Sequence, residues 1–377
     1  MSDTLELAKQ LIACRSVTPD DGGSLDLIGS RLATAGFTGE RLDRGGVRNL
    51  WARRGSRAPL VCLAGHVDVV PPGAVERWTS DPFTPTERDG FLFGRGAADM
   101  KTSVAALVTA AERFVARTPN HQGSLALLFT SDEEGAGIDG TAAVVDALRS
   151  RGITIDACIL GEPTSSALLG DAMKNGRRGS LNGVLTVKGV QCHIAYPEHG
   201  RNPIHMAMPA LAELASTQWD RGNENFSPTS FQMSYVQAGA GANNTIPGAM
   251  RVLFNFRFST ESPPEQLQQR VHATLDAHAV DYTLEWTLSA APFLSPRGRL
   301  AEVMTDAVAA VTGVTPAMWT SGGTSDGRFL AAISREVIEF GPVNKSIHAI
   351  DEHARLADIA PLSAIYEHAV ATLLRSS

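Results

Sequence analysis

The sequence predicts an α/β fold built on a mostly parallel sheet, interrupted by an inserted α+β segment of ferredoxin-like order. Three features of the pattern predict it. Short apolar runs rich in β-branched residues alternate with stretches of helical periodicity up to GEPT at 161–164. The order then changes to β-α-β-β-α-β between 181 and 289. From about 293, helix and strand alternate again, so the core is expected over 1–179 and 293–377, with the insert at 180–292. A chain of 377 residues is long enough for more than one hydrophobic core.

Taken in order, a helix is expected over 3–14 and another over 24–35, ended by Gly36. PLVCLAGHVDVV (59–70) is a β-branched apolar run between prolines and forms a buried strand. TSVAALVTAAERFV repeats its apolar positions at helical spacing, GSLALLFTSDEEG returns to strand character, a helix follows at 139–150, and DACILGEP is a further strand. In the insert, LNGVLTVKG, TSFQMSYVQAG, AMRVLFNFRFS and DYTLEWTLS form strands, while NPIHMAMPALAELAS and PPEQLQQRVHATLDAH form helices.

Composition narrows the function classes. The 33 basic and 40 acidic residues give a net charge of -7 without long single-sign blocks, so the basic stripe that nucleic acid requires is missing. Four cysteines, at 14, 62, 158 and 192, are too sparse for a disulfide framework or a thiolate zinc site and suit a reducing compartment. MSDTLELAKQLIACRS reads as a first helix rather than an export signal, and no apolar stretch approaches the roughly 20 residues of a membrane span. A cytoplasmic location with no membrane or nucleic-acid partner is the expectation.

Ionisable residues gather where the predicted strands end, the place where open parallel sheets carry their chemistry. GHVDVV supplies His66 and Asp68, which at i and i+2 would share one face of a strand, letting the aspartate fix the imidazole tautomer. In GRGAADMK, Asp99 enters a helix behind the small residues Gly96, Ala97 and Ala98. Its two oxygens can each reach one of two metals, or it can cap the helix that follows. FTSDEEG sets Glu133 beside Glu134 as an apolar run ends. Buried charge there requires pairing, hydrogen bonds or metal, a solvated turn being the alternative. LGEPTS adds Glu162 and NKSIHAIDE adds His348. Imidazole and carboxylate donors suit zinc or neighbouring first-row metals, and two metals about 3.5–4 Å apart can jointly polarise a carbonyl and activate water. The residues therefore favour a metal hydrolase.

GHVDVVPPG, GRGAADMK, TSDEEG and GEPT resemble successive motifs of the zinc-dependent aminoacylase and carboxypeptidase superfamily, the M20-type metallopeptidases. NGRRGSLNGVLTVKGVQ, AYPEHGRNPIH, GANNTIPG, SGGTSDGRF and GPVNKSIH resemble its desuccinylase branch, and the similarity extends over nearly the whole chain. The resemblance implies a dinuclear zinc hydrolase domain with two Zn2+ per subunit, Co2+ or Mn2+ able to substitute. His66, Asp99 and Glu162 would hold one ion, and Asp99, Glu134 and His348 the other. Asp68 would orient His66, Glu133 would act as general base, and a non-proline cis peptide would follow Asp99.

It also implies hydrolysis of N-succinyl-LL-2,6-diaminopimelate to succinate and LL-2,6-diaminopimelate, on the route to lysine and peptidoglycan; an acetylornithine deacetylase or related aminoacylase is the alternative. Arg177, Arg257, Thr324 and Asn344 fall at substrate-contacting positions. The insert would be a lid and the homodimer contact, sending His193 and Asn243 into the neighbouring subunit's site, where His193 stabilises the oxyanion. Two residues depart from the family's pattern: Cys192 precedes His193 and Thr102 follows Lys101, both where smaller residues are common. Neither removes a ligand or the base. All four cysteines are expected as small packed thiols. A metal-binding scaffold without chemistry would have no use for an unligated base such as Glu133. A nucleotide-binding protein is disfavoured because GRGAADMK lacks the phosphate-loop and dinucleotide fingerprints.

Overall fold

In the computed structural model, which describes residues 3–239 and 241–375, the apolar runs become the middle of one eight-stranded sheet. Ser124–Thr130, Leu60–His66, Ile155–Leu160 and Ser334–Glu339 lie side by side and parallel. Every residue of the first two is buried, as continuous apolar strands covered on both faces must be. The hairpin Thr38–Arg41 and Asn49–Arg54 extends one edge antiparallel, and Ala172–Lys174 with Ala317–Trp319 forms the other. Ser334–Glu339 inserts between Ile155–Leu160 and Ala172–Lys174, so the C-terminal part of the chain completes a sheet begun by the N-terminal part.

Helices Asp3–Ala13, Thr102–Arg117 and Leu356–Leu373 share one core with these strands, through Leu7, Leu11, Val104, Leu107, Ile365 and Val370 among others. The second helix, Ser24–Thr34, stops where Gly36 takes φ 79°, with its N–H on Ala33 O and the Phe37 N–H on Leu32 O. Glycine adopts that left-handed conformation without a Cβ penalty. Two expectations shift. The strand expected over 59–70 ends at His66, and the helix expected from 139 begins at Thr141, because Gly140 holds a non-helical backbone. The edge hairpin was not anticipated: Thr38–Arg41 is largely solvated and its side chains show no apolar alternation.

The chain divides into two compact units. One runs to Gly176 and resumes over Leu294–Trp319 and from Ser325; the other is Arg177–Phe293 with Thr320–Thr324. The expected boundaries assigned 320–324 to the core, but Thr320 Oγ1 donates to Asn225 O and Gly323 O accepts from Arg177. The second unit is an antiparallel sheet in the order Ser230–Ala238, Ala249–Phe258, Gly179–Lys188, Tyr282–Ala290. That is the ferredoxin-like arrangement. Helices Pro203–Ser216 and Pro264–Ala277 cover one face, packing Leu211, Leu214, Leu267 and Val271 against Leu181, Leu185, Phe254 and Phe256. Among the described residues no helix is long and apolar enough to cross a membrane.

Candidate metal centre

His66, Asp99, Glu133, Glu134, Glu162 and His348 converge beyond the strand ends of the first unit. Three groups have donor atoms within 4.8 Å of one another: His66 with Asp99 and Glu162; Asp99 with Glu134 and His348; and His66 with Glu133 and Glu134. Asp99 belongs to two of them. Its Oδ1 is 3.2 Å from His66 Nε2, and its Oδ2 is 3.6 Å from His348 Nε2. His348 Nε2 also lies 2.9 Å from Glu134 Oε1. Four carboxylates at this density repel one another, and a bound cation would relieve that repulsion further than the two imidazoles do. The all-nitrogen-and-oxygen donor set and the shared aspartate suit a pair of first-row divalent ions.

Local structure brings each group to the cluster. His66 is the last residue of its strand and Glu162 follows Ile155–Leu160 by two residues, so adjacent parallel strands deliver both to the same end. Gly65 and Gly161 precede them. A Cβ at Gly65 would lie 2.4 Å from Met100 Cε, and one at Gly161 would lie 2.7 Å from the same atom and 2.9 Å from Ser103 Cβ. These two glycines leave the space through which Met100 seats the Asp99 connection on the sheet. The Asp99–Met100 peptide is cis. Thr102, one of the two departures, fits here: it is buried and its hydroxyl donates to Ala97 O. His348 holds φ 59°, a region that non-glycine residues occupy at a cost and mainly at functional sites.

Asp68 does more than the sequence suggested, and does it differently. Because the strand ends at His66, the period-2 face does not extend to Asp68; His66 Nδ1 bonds the Asp68 backbone carbonyl at 2.9 Å, while the carboxylate stands 3.6 Å away. That carboxylate instead accepts the Glu133 and Glu134 backbone N–H groups at 3.3 and 3.1 Å. Asp132 fixes the far side of the same loop, accepting from the N–H groups of Ala136, Ile138 and Asp139. Burial raises the Asp68 carboxyl to about 6 against the opposing pull of His66.

The cluster's charges set its protonation in the absence of metal. Hydrogen bonds donated to the Asp99 and Glu134 carboxylates push His348 up to about 10. Burial would lower His66, but the hydrogen bond to Asp99 and the charges of Glu133, Asp99 and Asp68 together hold it well above its usual value. Burial tends to raise Asp99, and the two imidazoles overcome this and hold it low. Glu133 is part-exposed, yet desolvation by the surrounding protein, then the nearby Glu162 charge, raise its carboxyl well above the carboxylate range. A carboxyl so placed exchanges a proton nearer neutrality than an ordinary glutamate.

The other expected site residues are placed as follows. Asn344 is in the first unit, its N–H on Ser165 O. Arg177, Arg257, Thr324, His193 and Asn243 belong to the second. Arg177 is buried and donates to Gly323 O, and Ser180, three residues on, pairs with Arg257 across adjacent strands. Burial, then the charges of Arg178 and Arg177, lower the Arg257 guanidinium. His193 and Asn243 are exposed, and His193 accepts the Ala195 N–H through Nδ1. The cysteines are free; Cys62 and Cys158 are buried as expected, whereas Cys14 and Cys192 are only half-buried, each sulfur donating to a carbonyl.

Glu352 was missed. Its carboxylate, almost without exposure, accepts N–H groups from Gly96, Ala98 and Asp99 and an Arg95 guanidinium contact at 2.8 Å. An acid four residues beyond His348, between Asp351 and His353, was the one available signal.

A fold of this kind with this cluster is that of a metal-dependent hydrolase, and the chain belongs to peptidase family M20/M25/M40, whose model matches residues 62–372. It is 59% identical over 375 residues to a Dechloromonas aromatica (strain RCB) protein named succinyl-diaminopimelate desuccinylase, covering 99% of this chain and all of that one. A protein of the same name from Aromatoleum aromaticum is 60% identical over 371 residues, 98% of this chain and 97% of its own. Among solved structures, the M20 family metallo-carboxypeptidase Sso-CP2 of Sulfolobus solfataricus superposes with TM-score 0.82 at 15% identity, over 98% of this chain and 99% of that one. A Bacillus subtilis protein described as a dinuclear metal binding peptidase of the M20 family gives 0.73 at 15% identity, over 98% and 97%. At such identity these two speak for the fold alone.

Proposed function

We propose that the chain is a succinyl-diaminopimelate desuccinylase, hydrolysing the amide of N-succinyl-LL-2,6-diaminopimelate to succinate and LL-2,6-diaminopimelate for lysine and peptidoglycan synthesis in the cytoplasm. The observation that carries the reading is 57–60% identity over nearly the full chain to relatives of that name. His66, Asp99 and Glu162 would hold one zinc ion and Asp99, Glu134 and His348 a second, with Co2+ or Mn2+ able to substitute. The chemistry a zinc pair would supply there is polarisation of the amide carbonyl and activation of water near neutral pH.

Glu133 takes the proton from the attacking water and returns it to the departing amine. Left without a metal to hold in this assignment, its carboxylate is free for both halves of that exchange. Asp68 keeps Glu133 and Glu134 on their separate tasks by holding both backbone N–H groups. The substrate's carboxylates meet Arg177 and Arg257, with Thr324 and Asn344 as polar contacts and Asn243 of the partner subunit entering the same site. Burial, then the charges of Arg178 and Arg177, lower Arg257, an anionic substrate offsets both, and planar guanidinium forks suit carboxylates. The insert at 180–292 acts as lid and homodimer contact, so that His193 of the partner subunit stabilises the oxyanion. Met233, Tyr235 and Val236 on an edge strand, and Met208 on a helix, are exposed apolar side chains that a second copy would cover.

Product-resolved hydrolysis tests the reading, with zinc-loaded and metal-stripped protein offered the succinyl substrate, N-acetylornithine and a dipeptide. Succinate release by the loaded protein alone is expected. Preferential cleavage of N-acetylornithine would replace the reading with the deacetylase alternative.

A further inference from the structure

The Asp99 connection and the His348 segment come from distant parts of the chain, yet a dinuclear site needs them fixed to each other within a fraction of an ångström. One carboxylate joins them. Glu352 Oε1 accepts the N–H groups of Ala98 and Asp99, both at 2.9 Å, and Oε2 accepts the Gly96 N–H at 2.9 Å and an Arg95 N–H at 2.8 Å. Glu352 is only 1% exposed. Four donors on two oxygens satisfy a buried carboxylate, and removing its charge leaves several donors without an acceptor. The same segment is tied down on its other side, since Asp351 accepts both the Thr79 N–H and hydroxyl at 2.9 and 2.6 Å. Arg95, which pairs with Glu352, also donates to Ala349 O and lies over the Trp78 ring at 5.1 Å.

We propose that Glu352 is a positioning residue of the metal centre, one buried carboxylate that locks the Asp99 connection to the segment carrying His348 and thereby sets metal affinity at both positions. Asp99 contributes to both donor groups and His348 to one of them, so a slip between the two segments misplaces donors for both ions. Groups beyond the ligands that orient them typically control affinity by about 10–100-fold. The inference rests on the metal reading given above.

The test is Glu352→Gln, which keeps length and volume but turns an amide NH2 toward two of the four donors. Zinc affinity is measured on wild type and variant by competition with a chromophoric chelator, beside thermal melts of the metal-free chains. Glu336→Gln is the control: Glu336 Oε2 accepts the Leu300 N–H at the start of helix Arg299–Thr312 and contacts no proposed ligand. Both variants are expected to melt below wild type, while only Glu352→Gln loses zinc affinity, by about 10–100-fold at both ions, with activity recovering in excess zinc. Unchanged zinc affinity in a folded Glu352→Gln protein would make Glu352 a structural residue and overturn the proposal. Should that variant fail to fold, Glu352→Asp gives the same readout, since its shorter carboxylate cannot reach all four donors. Wild type that binds no zinc would overturn the metal reading, and this inference with it.

Discussion

Replacing Gly161 with alanine should damage the metal centre through packing alone, without touching a ligand. The added Cβ would stand 2.9 Å from Ser103 Cβ, 2.7 Å from Met100 Cε and 3.0 Å from Leu107 Cδ1. Carbon atoms pack at about 3.5–4.0 Å, so Ser103 must retreat by roughly 0.6 Å, and it sits in the first turn of a helix buried along most of its length. Met100 can move its terminal methyl, but Ser103 Cβ moves only with the helix. Overpacking of this kind costs about 1–3 kcal/mol, and a unit of this size loses about 2–4 °C of melting temperature per kcal/mol. A fall of about 2–12 °C follows, together with weaker zinc binding, because the displaced helix begins at the Asp99 connection and Gly161 is bonded to Glu162. Differential scanning calorimetry and zinc competition read the two effects. Gly29→Ala is the contrast: it lies in helix Ser24–Thr34 with only Leu50 Cδ2 nearby, at 3.8 Å, and should hold or gain about 0.4–1 kcal/mol. Gly161→Ala melting with the wild type would refute the argument from space.

Glu133→Gln should retain both metals and substrate affinity while turnover falls about 100- to 10,000-fold, whereas Glu134→Gln should lose metal first and recover partly in excess zinc; the reverse pattern in metal analysis would exchange their roles. In the metal-free chain, His348 is held up to about 10 from an ordinary 6.5. The native state therefore keeps a proton that the unfolded state has lost between those values. Its stabilisation should be full below about pH 6.5 and decline as pH rises toward about 10, visible as a falling melting temperature that His348→Gln lacks. Zinc requires the neutral imidazole, so binding should release protons and tighten with pH, which calorimetry in buffers of different ionisation enthalpy measures. Mixed dimers of a His193→Ala subunit with a Glu133→Gln subunit should regain one intact site; activity no higher than that of either parent would argue against His193 acting in trans.

The donors were legible in the sequence because each lies in its own short motif where an apolar run stops, and a parallel sheet gathers such places at one end. Asp68 was legible as a neighbour of His66 but not in its task. Strand periodicity was carried two residues beyond the strand's actual end, and the carboxylate turned to the backbone of another loop. Glu352 and Asp132 escaped for a related reason. A carboxylate that accepts main-chain N–H groups from 65 or more residues away, as Asp68 and Glu352 do, leaves no spacing or periodicity to find, and Asp132 looked like one more acid in a polar turn. The hairpin at 38–54 was hidden by its edge position, where solvent accepts the polar side chains that a central strand would refuse.

The place of Ser334–Glu339 inside the sheet, between strands made far earlier, gives synthesis a particular order. A chain emerging from the ribosome at about 5–20 residues per second presents Ile155–Leu160 long before its neighbour exists; the interval from 160 to 339 takes about 10–35 s. Throughout that time an apolar parallel strand offers an unpaired edge, and the metal cluster lacks the imidazole of His348. The nascent chain must therefore be shielded, by a chaperone or by its own partial collapse, until its last quarter arrives. A truncation removing that quarter is expected to leave an aggregating sheet rather than a weaker enzyme.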